Sequence, residues 1–186
     1  MSLSEANMPH VKPEAIKLAI FDIDGVLTDG TLLYGEHGEL IKPFNAKDGV
    51  GIRLLQENGV AVAVITAKRS APLARRMQDL KIEYFFPGCH DKAATFAQLK
   101  QTLNVQNDAV AYVGDDVLDL PVMEQVGLAI APADGYQLVK EMAHIVTEAS
   151  GGKGVVREVA DLLIGARTDL AEAYRVLVMP KAAVVQ

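Results

Sequence analysis

Short apolar runs recur along the chain at intervals that suit the strands of one sheet. Six of them stand out, at 17–23, 60–66, 83–86, 109–113, 127–131 and 144–147. Most of the segments between them place apolar residues at helical spacing. Strand runs that alternate with helices predict an α/β fold, a Rossmann-like arrangement in which a parallel sheet lies between two helical layers.

The helical segments have recognisable faces and ends. Val50, Leu54 and Leu55 predict the buried face of the first helix, and Gly59 predicts its end. A glycine pair forms a turn before a last helix, which we expect near 153–166. These apolar stripes are interpreted as core.

One insertion interrupts the alternation after the first strand. Residues 29–44 contain TLLY and ELIKPF around GEHG, a pattern typical of a β-hairpin. It is too short to form a cap domain. We therefore expect a single domain at 16–168. A disordered or tag-like segment at 1–15 precedes it, and an apolar tail at 169–186, a candidate contact for a neighbouring subunit, follows it.

Composition narrows the class of protein. The 186 residues carry a net charge of −6 with a pI near 5.2 and contain no basic run, which excludes nucleic acid and anionic membrane as main partners. The only cysteine, Cys89, rules out a disulfide framework and suits a reducing cytoplasm. No apolar segment is long enough to predict a membrane span.

Two acids end the first apolar run, LAIFDIDGVLT. Asp22 and Asp24 stand one residue apart at the carboxyl end of a predicted strand, where open α/β sheets bind their ligands. Two carboxylates in one site can serve different purposes. One can be a nucleophile and the other a proton carrier. An isolated pair of this kind also fits an acidic turn that is closed by Gly25.

Further motifs follow in a fixed order: VITAK at 64–68, HDK at 90–92 and YVGDDVLDLPVM at 112–123. The ordered set resembles the haloacid dehalogenase superfamily of phosphotransferases. Longer segments are similar to its capless 3-deoxy-D-manno-octulosonate (KDO) 8-phosphate phosphatases. These segments are DIDGVLTDG at 22–30, PFNAKDGVGIR at 43–53, GDDVLDLPVM at 114–123 and GGKGVVREV at 151–159.

The resemblance implies a catalytic role for each matching residue. Asp22 would attack phosphorus and form an aspartyl-phosphate, and Asp24 would act as the general acid and base. Thr66 would bind phosphate oxygens, together with the amide of Ala67. Lys92 would balance the negative charges of the nucleophile and the phosphate.

The same resemblance implies a Mg²⁺ site. Its ligands would be the carboxylates of Asp22 and Asp115 and the main-chain carbonyl of Asp24. Asp116 and Asp119 would support these ligands from behind. Each of the two also fits the acidic first turn of a following helix, which the helix dipole favours without any metal.

Positions that match the sugar-acid contacts of these phosphatases are the candidates for substrate binding. They are Asn45, Ala46, Lys47, Asp48, Gly49, Arg53, Ala67, Lys68, Arg76 and Lys92. Two departures weaken the match. Thr66-Ala67-Lys68 replaces threonine-glycine-arginine, which exchanges a forked guanidinium for a point charge. Residues 87–90, PGCH, stand where the family often has glutamine-glycine.

The resemblance implies a cytoplasmic, Mg²⁺-dependent phosphatase for KDO 8-phosphate in lipopolysaccharide synthesis, assembled as a homotetramer through its hairpins. Three alternatives remain open. They are a phosphatase for a nine-carbon sugar acid 9-phosphate such as KDN or N-acylneuraminate, a receiver-like phosphoacceptor, and an inactive oligomeric scaffold. The order Asp22, Thr66, Lys92, Asp115 differs from the receiver order.

Overall fold

The structure, a computed structural model, describes residues 12–179. In chain order its strands and helices are β1 Leu18–Phe21, β2 Leu33–Gly35, β3 Gly38–Ile41, α1 Ala46–Glu57, β4 Ala61–Thr66, α2 Ala71–Asp79, β5 Tyr84–Pro87, α3 Lys92–Leu103, β6 Val110–Val113, α4 Leu120–Met123, β7 Leu128–Ala131, α5 Gln137–Met142, β8 Ile145–Val146, α6 Val155–Gly165 and α7 Leu170–Val178. None of these helices is long and apolar enough to cross a lipid bilayer.

Six strands form one parallel sheet in the order β5-β4-β1-β6-β7-β8. Alternate residues of each strand face opposite sides, so Ala19 and Phe21 pack against α1, α2, α6 and α7. Leu18 and Ile20 pack on the other side, against α3, α4 and α5. The three-layer α/β/α prediction is confirmed, and all six predicted strands are present.

The insert is a two-stranded antiparallel hairpin of β2 and β3. Between β1 and α1, within the described residues 12–179, the structure has only a short helical turn, Ile23–Leu27, and this hairpin, so the predicted hairpin without a cap domain is confirmed. Its apolar side chains are exposed, by 42% at Leu32, 69% at Leu40 and 55% at Ile41. The hairpin therefore presents a strongly apolar surface on this single chain.

Two expectations about helices are wrong. Leu54 and Leu55 are buried as expected, but Val50 is 40% exposed, because the buried face of α1 is completed by Gly51 and Ile52 instead. The helix at Val155–Gly165 is not the last one, since α7 follows it. The expected tail thus begins with a helix whose Ala173 and Leu177 are buried in the same chain's core. Its remainder, 180–186, lies outside the described residues.

The segment expected to be disordered or tag-like, 1–15, falls mostly outside the described residues. Its last residues, Pro13–Ala15, form a short 3₁₀ turn before β1. The backbone N–H of Ile16 closes this turn by donating to the carbonyl oxygen of Pro13. Ile16 itself is buried in the core.

Helices α1 and α6 pack closely through a glycine and a buried acid. A Cβ on Gly51 would lie 2.8 Å from the Cα of Arg157. Asp48, in the first turn of α1, is 1% exposed and accepts a hydrogen bond from the Arg157 N–H at 3.0 Å. Residue 154, before α6, is glycine and has no side chain to cap the helix. Asp48 therefore caps α6 from a neighbouring helix.

A glycine turn, Gly151-Gly152, presses on the loop that follows β1. The Gly152 N–H donates to the Val26 carbonyl at 3.0 Å. A Cβ on Gly151 would lie 2.2 Å from the carbonyl oxygen of Gly25. Only a residue without a side chain allows this approach, so the turn holds the loop next to Asp24 in place.

Gly151→Ala tests this contact. The added methyl group must displace the backbone at Gly25, so we expect the free energy of unfolding to fall by about 1–3 kcal/mol. Urea denaturation measures the change. Gly165→Ala is the matched control, because its Cβ position meets no described atom within 4 Å other than its chain neighbours and the backbone of its own helix. Equal stability of the two variants would contradict the proposed packing.

The buried Asp48 carboxyl predicts a pH dependence of stability. Burial raises its pKa from 3.8 to about 6, against the opposing hydrogen bonds from the Arg157 and Val156 N–H groups. The folded chain therefore keeps a proton between pH 4 and 6 that the unfolded chain loses. As a result, the free energy of unfolding falls as pH rises through this interval.

Asp48→Asn removes this titration and keeps an oxygen to accept from Arg157. Between pH 4 and pH 7 we expect the parent to lose about 3 kcal/mol relative to the variant. Urea denaturation of both proteins at the two pH values gives the free energies of unfolding. The contributions of other titrating groups are the same in both proteins and cancel in the comparison. Parallel pH dependences would show that folding does not raise the pKa of Asp48.

Candidate active site

The predicted catalytic residues meet in one cleft at the carboxyl ends of β1, β4 and β6. The cleft holds about 290 Å³, a size suited to a small ligand. Its lining comprises Asp22, Asp24, Gly30, Thr66, Ala67, Lys68, Lys92, Asp115, Asp116, Leu118 and Asp119. Residues far apart in the chain thus converge where open α/β sheets bind ligands.

Asp22 follows β1 and pairs with Lys92, the first residue of α3. The Lys92 Nζ lies 2.9 Å from Asp22 Oδ2 and 2.7 Å from Asp119 Oδ1. Asp22 Oδ1 is buried and has no hydrogen-bond partner. One oxygen of this carboxylate is therefore held by a cation, and the other is free to bind or attack a ligand.

Asp119 is saturated with hydrogen bonds. Its Oδ1 accepts from the Tyr112 hydroxyl at 2.6 Å as well as from Lys92. Its Oδ2 accepts from the N–H groups of Asp115 and Asp116, at 3.1 and 3.3 Å. Because both oxygens already accept bonds, Asp119 is suited to holding its neighbours in position.

Asp116 differs from Asp119 although both were predicted to support the metal ligands. Its side chain is exposed and accepts from the Val117 N–H at 2.7 Å, as part of a capping box with Asp119. The alternative role as a helix cap therefore describes Asp116 better. Its charge still acts on Asp115 next to it.

Three carboxylates surround a position that a cation could occupy. Asp22, Asp115 and Asp119 each have an oxygen within 4.8 Å of the others. Burial, followed by the charges of Asp119, Asp22 and Asp116, raises the pKa of Asp115 to about 7. Burial also raises the pKa of Asp22, to about 6, although Lys92 opposes this shift. A divalent cation would relieve this repulsion, and its preference for oxygen ligands matches the donors present.

Glycines allow the acids to approach each other. Gly25 has a φ of +82°, and a Cβ there would lie 2.0 Å from Asp115 Oδ2. A Cβ on Gly114 would lie 2.4 Å from the side chain of Asp119. A side chain at either position would therefore clash with the acidic cluster.

The same acids shift the pKa values of Lys92 and Tyr112. Burial alone would lower the pKa of Lys92, but Asp22 and Asp119 raise it above its ordinary value, so it is a cation at neutral pH. Burial, reinforced by Asp119, keeps the pKa of Tyr112 well above 10. Tyr112 is thus a neutral hydrogen-bond donor to Asp119.

Thr66, Ala67 and Lys68 lie where β4 ends and form another wall of the cleft. The Lys68 N–H donates to the Thr66 hydroxyl at 3.2 Å, which folds the segment into a tight turn. Thr66 is buried, whereas Ala67 and Lys68 are partly accessible. This placement suits the predicted contacts with an anionic substrate.

Most of the other predicted substrate contacts do not line the cleft. Asn45 caps α1 by accepting from the Lys47 N–H, and its amide donates to the Gly152 carbonyl at 3.1 Å. Ala46 and Lys47 are exposed in the first turn of α1. Their substrate contacts stay predictions. The carboxylate of Asp48 points into the protein, toward α6, and does not support a substrate contact.

Arg53 and Arg76 serve contacts within the protein. Arg53 donates to the carbonyl of Leu177 at 3.1 Å, which ties α1 to the end of α7. Arg76 donates to the Asn45 carbonyl at 3.3 Å, and its guanidinium lies beside the position where a Cβ of Gly49 would be. The Arg76 contacts hold the start of α1, and neither arginine lines the cleft.

Lys42 is a charged neighbour of the site that the sequence interpretation missed. It follows β3, and its buried Nζ forms ion pairs with Asp24 Oδ1 and, at 2.8 Å, with Glu39 Oε1. A hairpin returns the chain to the point where it left, so residue 42 is brought back beside residue 24. This topological signal was available in the sequence.

Comparison with known proteins agrees with this geometry. Residues 82–159 match the family of haloacid dehalogenase-like hydrolases. The 3-deoxy-D-manno-octulosonate 8-phosphate phosphatase of Yersinia pestis is 45% identical over 158 residues, which cover 85% of this chain and 84% of that protein.

Solved structures extend the similarity to the fold. The cobalt-bound deoxy-D-mannose-octulosonate 8-phosphate phosphatase from Haemophilus influenzae has a TM-score of 0.84 and 39% identity, over 88% of this chain and 99% of that one. The enzyme from Moraxella catarrhalis, in complex with magnesium, phosphate and KDO, has a TM-score of 0.85 and 32% identity, over 89% and 95%. The chain therefore belongs to the haloacid dehalogenase-like hydrolases and, within them, to the family of 3-deoxy-D-manno-octulosonate 8-phosphate phosphatases.

Proposed function

We propose that this protein is a Mg²⁺-dependent phosphatase that hydrolyses 3-deoxy-D-manno-octulosonate 8-phosphate to KDO and phosphate, a reaction of lipopolysaccharide synthesis. One observation carries the proposal. Asp22 and Asp24 each have one oxygen held by a lysine and one buried oxygen without a partner, and both face the same cleft. This arrangement supplies a nucleophile and a proton carrier side by side.

In the first half of the reaction, Asp22 attacks phosphorus with its unpaired oxygen. The new O–P bond forms as the bond from phosphorus to the sugar oxygen breaks, which leaves an aspartyl-phosphate. Asp24 donates its proton to the departing sugar oxygen. Lys92 and the Thr66–Ala67 turn stabilise the negative charge on the transferred phosphoryl oxygens.

In the second half, a water molecule replaces the sugar. Asp24, now ionised, takes a proton from this water as its oxygen attacks phosphorus. The bond from phosphorus to Asp22 breaks, so phosphate leaves and the Asp22 carboxylate is restored. Lys92 stays bound to Asp22 and Asp119 throughout and keeps the nucleophile oriented.

Asp22, Asp115 and the main-chain carbonyl of Asp24 would hold Mg²⁺, with Asp119 fixing the loop of Asp115 from behind. When bound, the cation supplies positive charge that offsets repulsion between the carboxylates and the phosphate. Lys68, at the edge of the cleft, offers a cation for the sugar carboxylate. We place the reaction in the cytoplasm, which suits an enzyme whose single cysteine is a free thiol.

Phosphate release from a panel of sugar phosphates tests this proposal. We expect turnover of KDO 8-phosphate to exceed that of nine-carbon sugar acid 9-phosphates, to stop on chelation and to return with Mg²⁺. Asp22→Asn should lower turnover by at least about 10³-fold, because an amide is a poor nucleophile. Asp108→Asn, the same exchange at an exposed acid outside the cleft, is the control for handling and folding. Metal-independent turnover, or an active Asp22→Asn variant, would refute the mechanism.

We further propose that the protein works as a homotetramer whose hairpins pack together. The exposed apolar side chains of β2 and β3 support this, since a single chain would leave them in water. The single domain has no cap, so a neighbouring subunit is the available source of shielding for the cleft. Excluding bulk water in this way would strengthen the electrostatic interactions of the site.

Charges on the hairpin test the assembly. Leu33→Glu combined with Ile41→Glu should convert the tetramer to smaller species, because buried carboxylates without partners oppose association. Light scattering gives the mass, and phosphate release gives the activity, which we expect to fall at least tenfold. Leu138→Glu, an exposed apolar position on α5, is the matched control. A parent protein that is monomeric and active would contradict the proposal.

A further inference from the structure

Lys42 is a buried cation to which the reaction described above gives no task. Its side chain is fully buried, and its Nζ bridges two carboxylates, Asp24 and Glu39. Burial alone would lower the pKa of Lys42, but hydrogen bonds with Asp24 and Glu39 raise it, so the side chain is charged. A buried charge of this kind persists only where partners compensate its lost hydration.

The bond to Lys42 occupies one particular oxygen of Asp24. Oδ1 accepts from Lys42 Nζ and also from the Thr28 hydroxyl at 3.3 Å. Oδ2 is buried and has no hydrogen-bond partner among the described residues. Two donors therefore fix the rotation of the carboxylate and leave the second oxygen free for proton transfer. Charge-assisted bonds are short and directional, which suits this task.

Lys42 is in turn held by the hairpin. Glu39 belongs to β3, is 5% exposed, and receives the same ammonium group at 2.8 Å. The hairpin returns to the domain directly after Lys42, and Phe44 and Asn45 follow at the start of α1. The position of the ammonium group therefore depends on the hairpin being folded and on Glu39 being in place.

We infer that Lys42 is a positioning residue, which holds the Asp24 carboxylate so that its free oxygen faces the substrate oxygen. The inference rests on the proposed phosphatase function and assigns a second purpose to the hairpin. Lys42 does not touch substrate in this assignment and acts through Asp24 alone. A displacement of about 1 Å in a catalytic group can cost on the order of 100-fold in rate.

The decisive experiment is a double-mutant cycle between Lys42→Met and Asp24→Asn, run on two substrates. Methionine has a similar length and lacks the charge. On KDO 8-phosphate we expect Lys42→Met to lower kcat by about 10- to 100-fold with KM changed less than threefold. On p-nitrophenyl phosphate, whose leaving group needs no proton, the loss should be at least fivefold smaller.

The cycle separates positioning from a general structural role. In the Asp24→Asn background, Lys42→Met should lower kcat by less than threefold, because no carboxylate remains to be oriented. Losses that multiply in the double variant, or that are equal on both substrates, would overturn the inference. Lys81→Met, on the surface outside the cleft, is the matched control.

Two further measurements cover the case of a variant that does not fold and the case of an inactive parent. If circular dichroism shows that Lys42→Met does not fold, Glu39→Gln is tested instead. This variant weakens the interaction that holds Lys42 and keeps the cation itself. It should give a smaller loss with the same preference for p-nitrophenyl phosphate, and an unchanged substrate ratio would overturn the inference. A parent protein that hydrolyses neither ester would refute the proposed phosphatase function, whereas an active parent with an unaffected Lys42→Met variant would refute this inference alone.

Discussion

Repulsion between negative charges is the constraint on which this site depends. Three carboxylates, from Asp22, Asp115 and Asp119, come within reach of one ion at the ends of β1 and β6, and Lys92 is the ammonium group bound among them. Burial, with the neighbouring carboxylates adding to it, raises the pKa values of Asp22 and Asp115 to about 6 and about 7. Such an arrangement is stable only when a rigid frame enforces it or a cation relieves it.

Close backbone packing, more than contacts between side chains, provides this frame. Gly25 and Gly114 let the acids approach, and Gly151 lets a distant turn support the loop next to Asp24. Asp119 receives two backbone N–H groups and fixes the segment that carries Asp115. The acids can thus remain close because the surrounding elements leave them no room to separate.

Apolar runs predicted the sheet, and the family resemblance named Asp22, Asp24, Thr66, Lys92 and Asp115, which line the cleft. Parallel strands are buried on both faces, so each reads as an apolar run, and parallel strands place their ends at one edge. What sequence could not supply were contacts between distant elements. Arg53 bonds to residue 177 and Asp48 to residue 157, separations of 124 and 109 residues. Helix α7 was missed although the sequence signals it, with Asp169 as the N-cap and Ala173 and Leu177 at helical spacing.

The order of strands in the sheet has a consequence for synthesis. β1 occupies the middle and pairs with β4 and with β6, while Gly151-Gly152 supports the loop beyond it. A chain emerging from the ribosome therefore carries Asp22 and Asp24 long before their surroundings exist. Non-local pairing of this kind is slow to form, because loop-closure entropy opposes it until the late segments arrive. The nascent protein can complete its acidic cluster only after Asp119 has been synthesised. The loop next to Asp24 gains its support later still, when the Gly151-Gly152 turn has been synthesised.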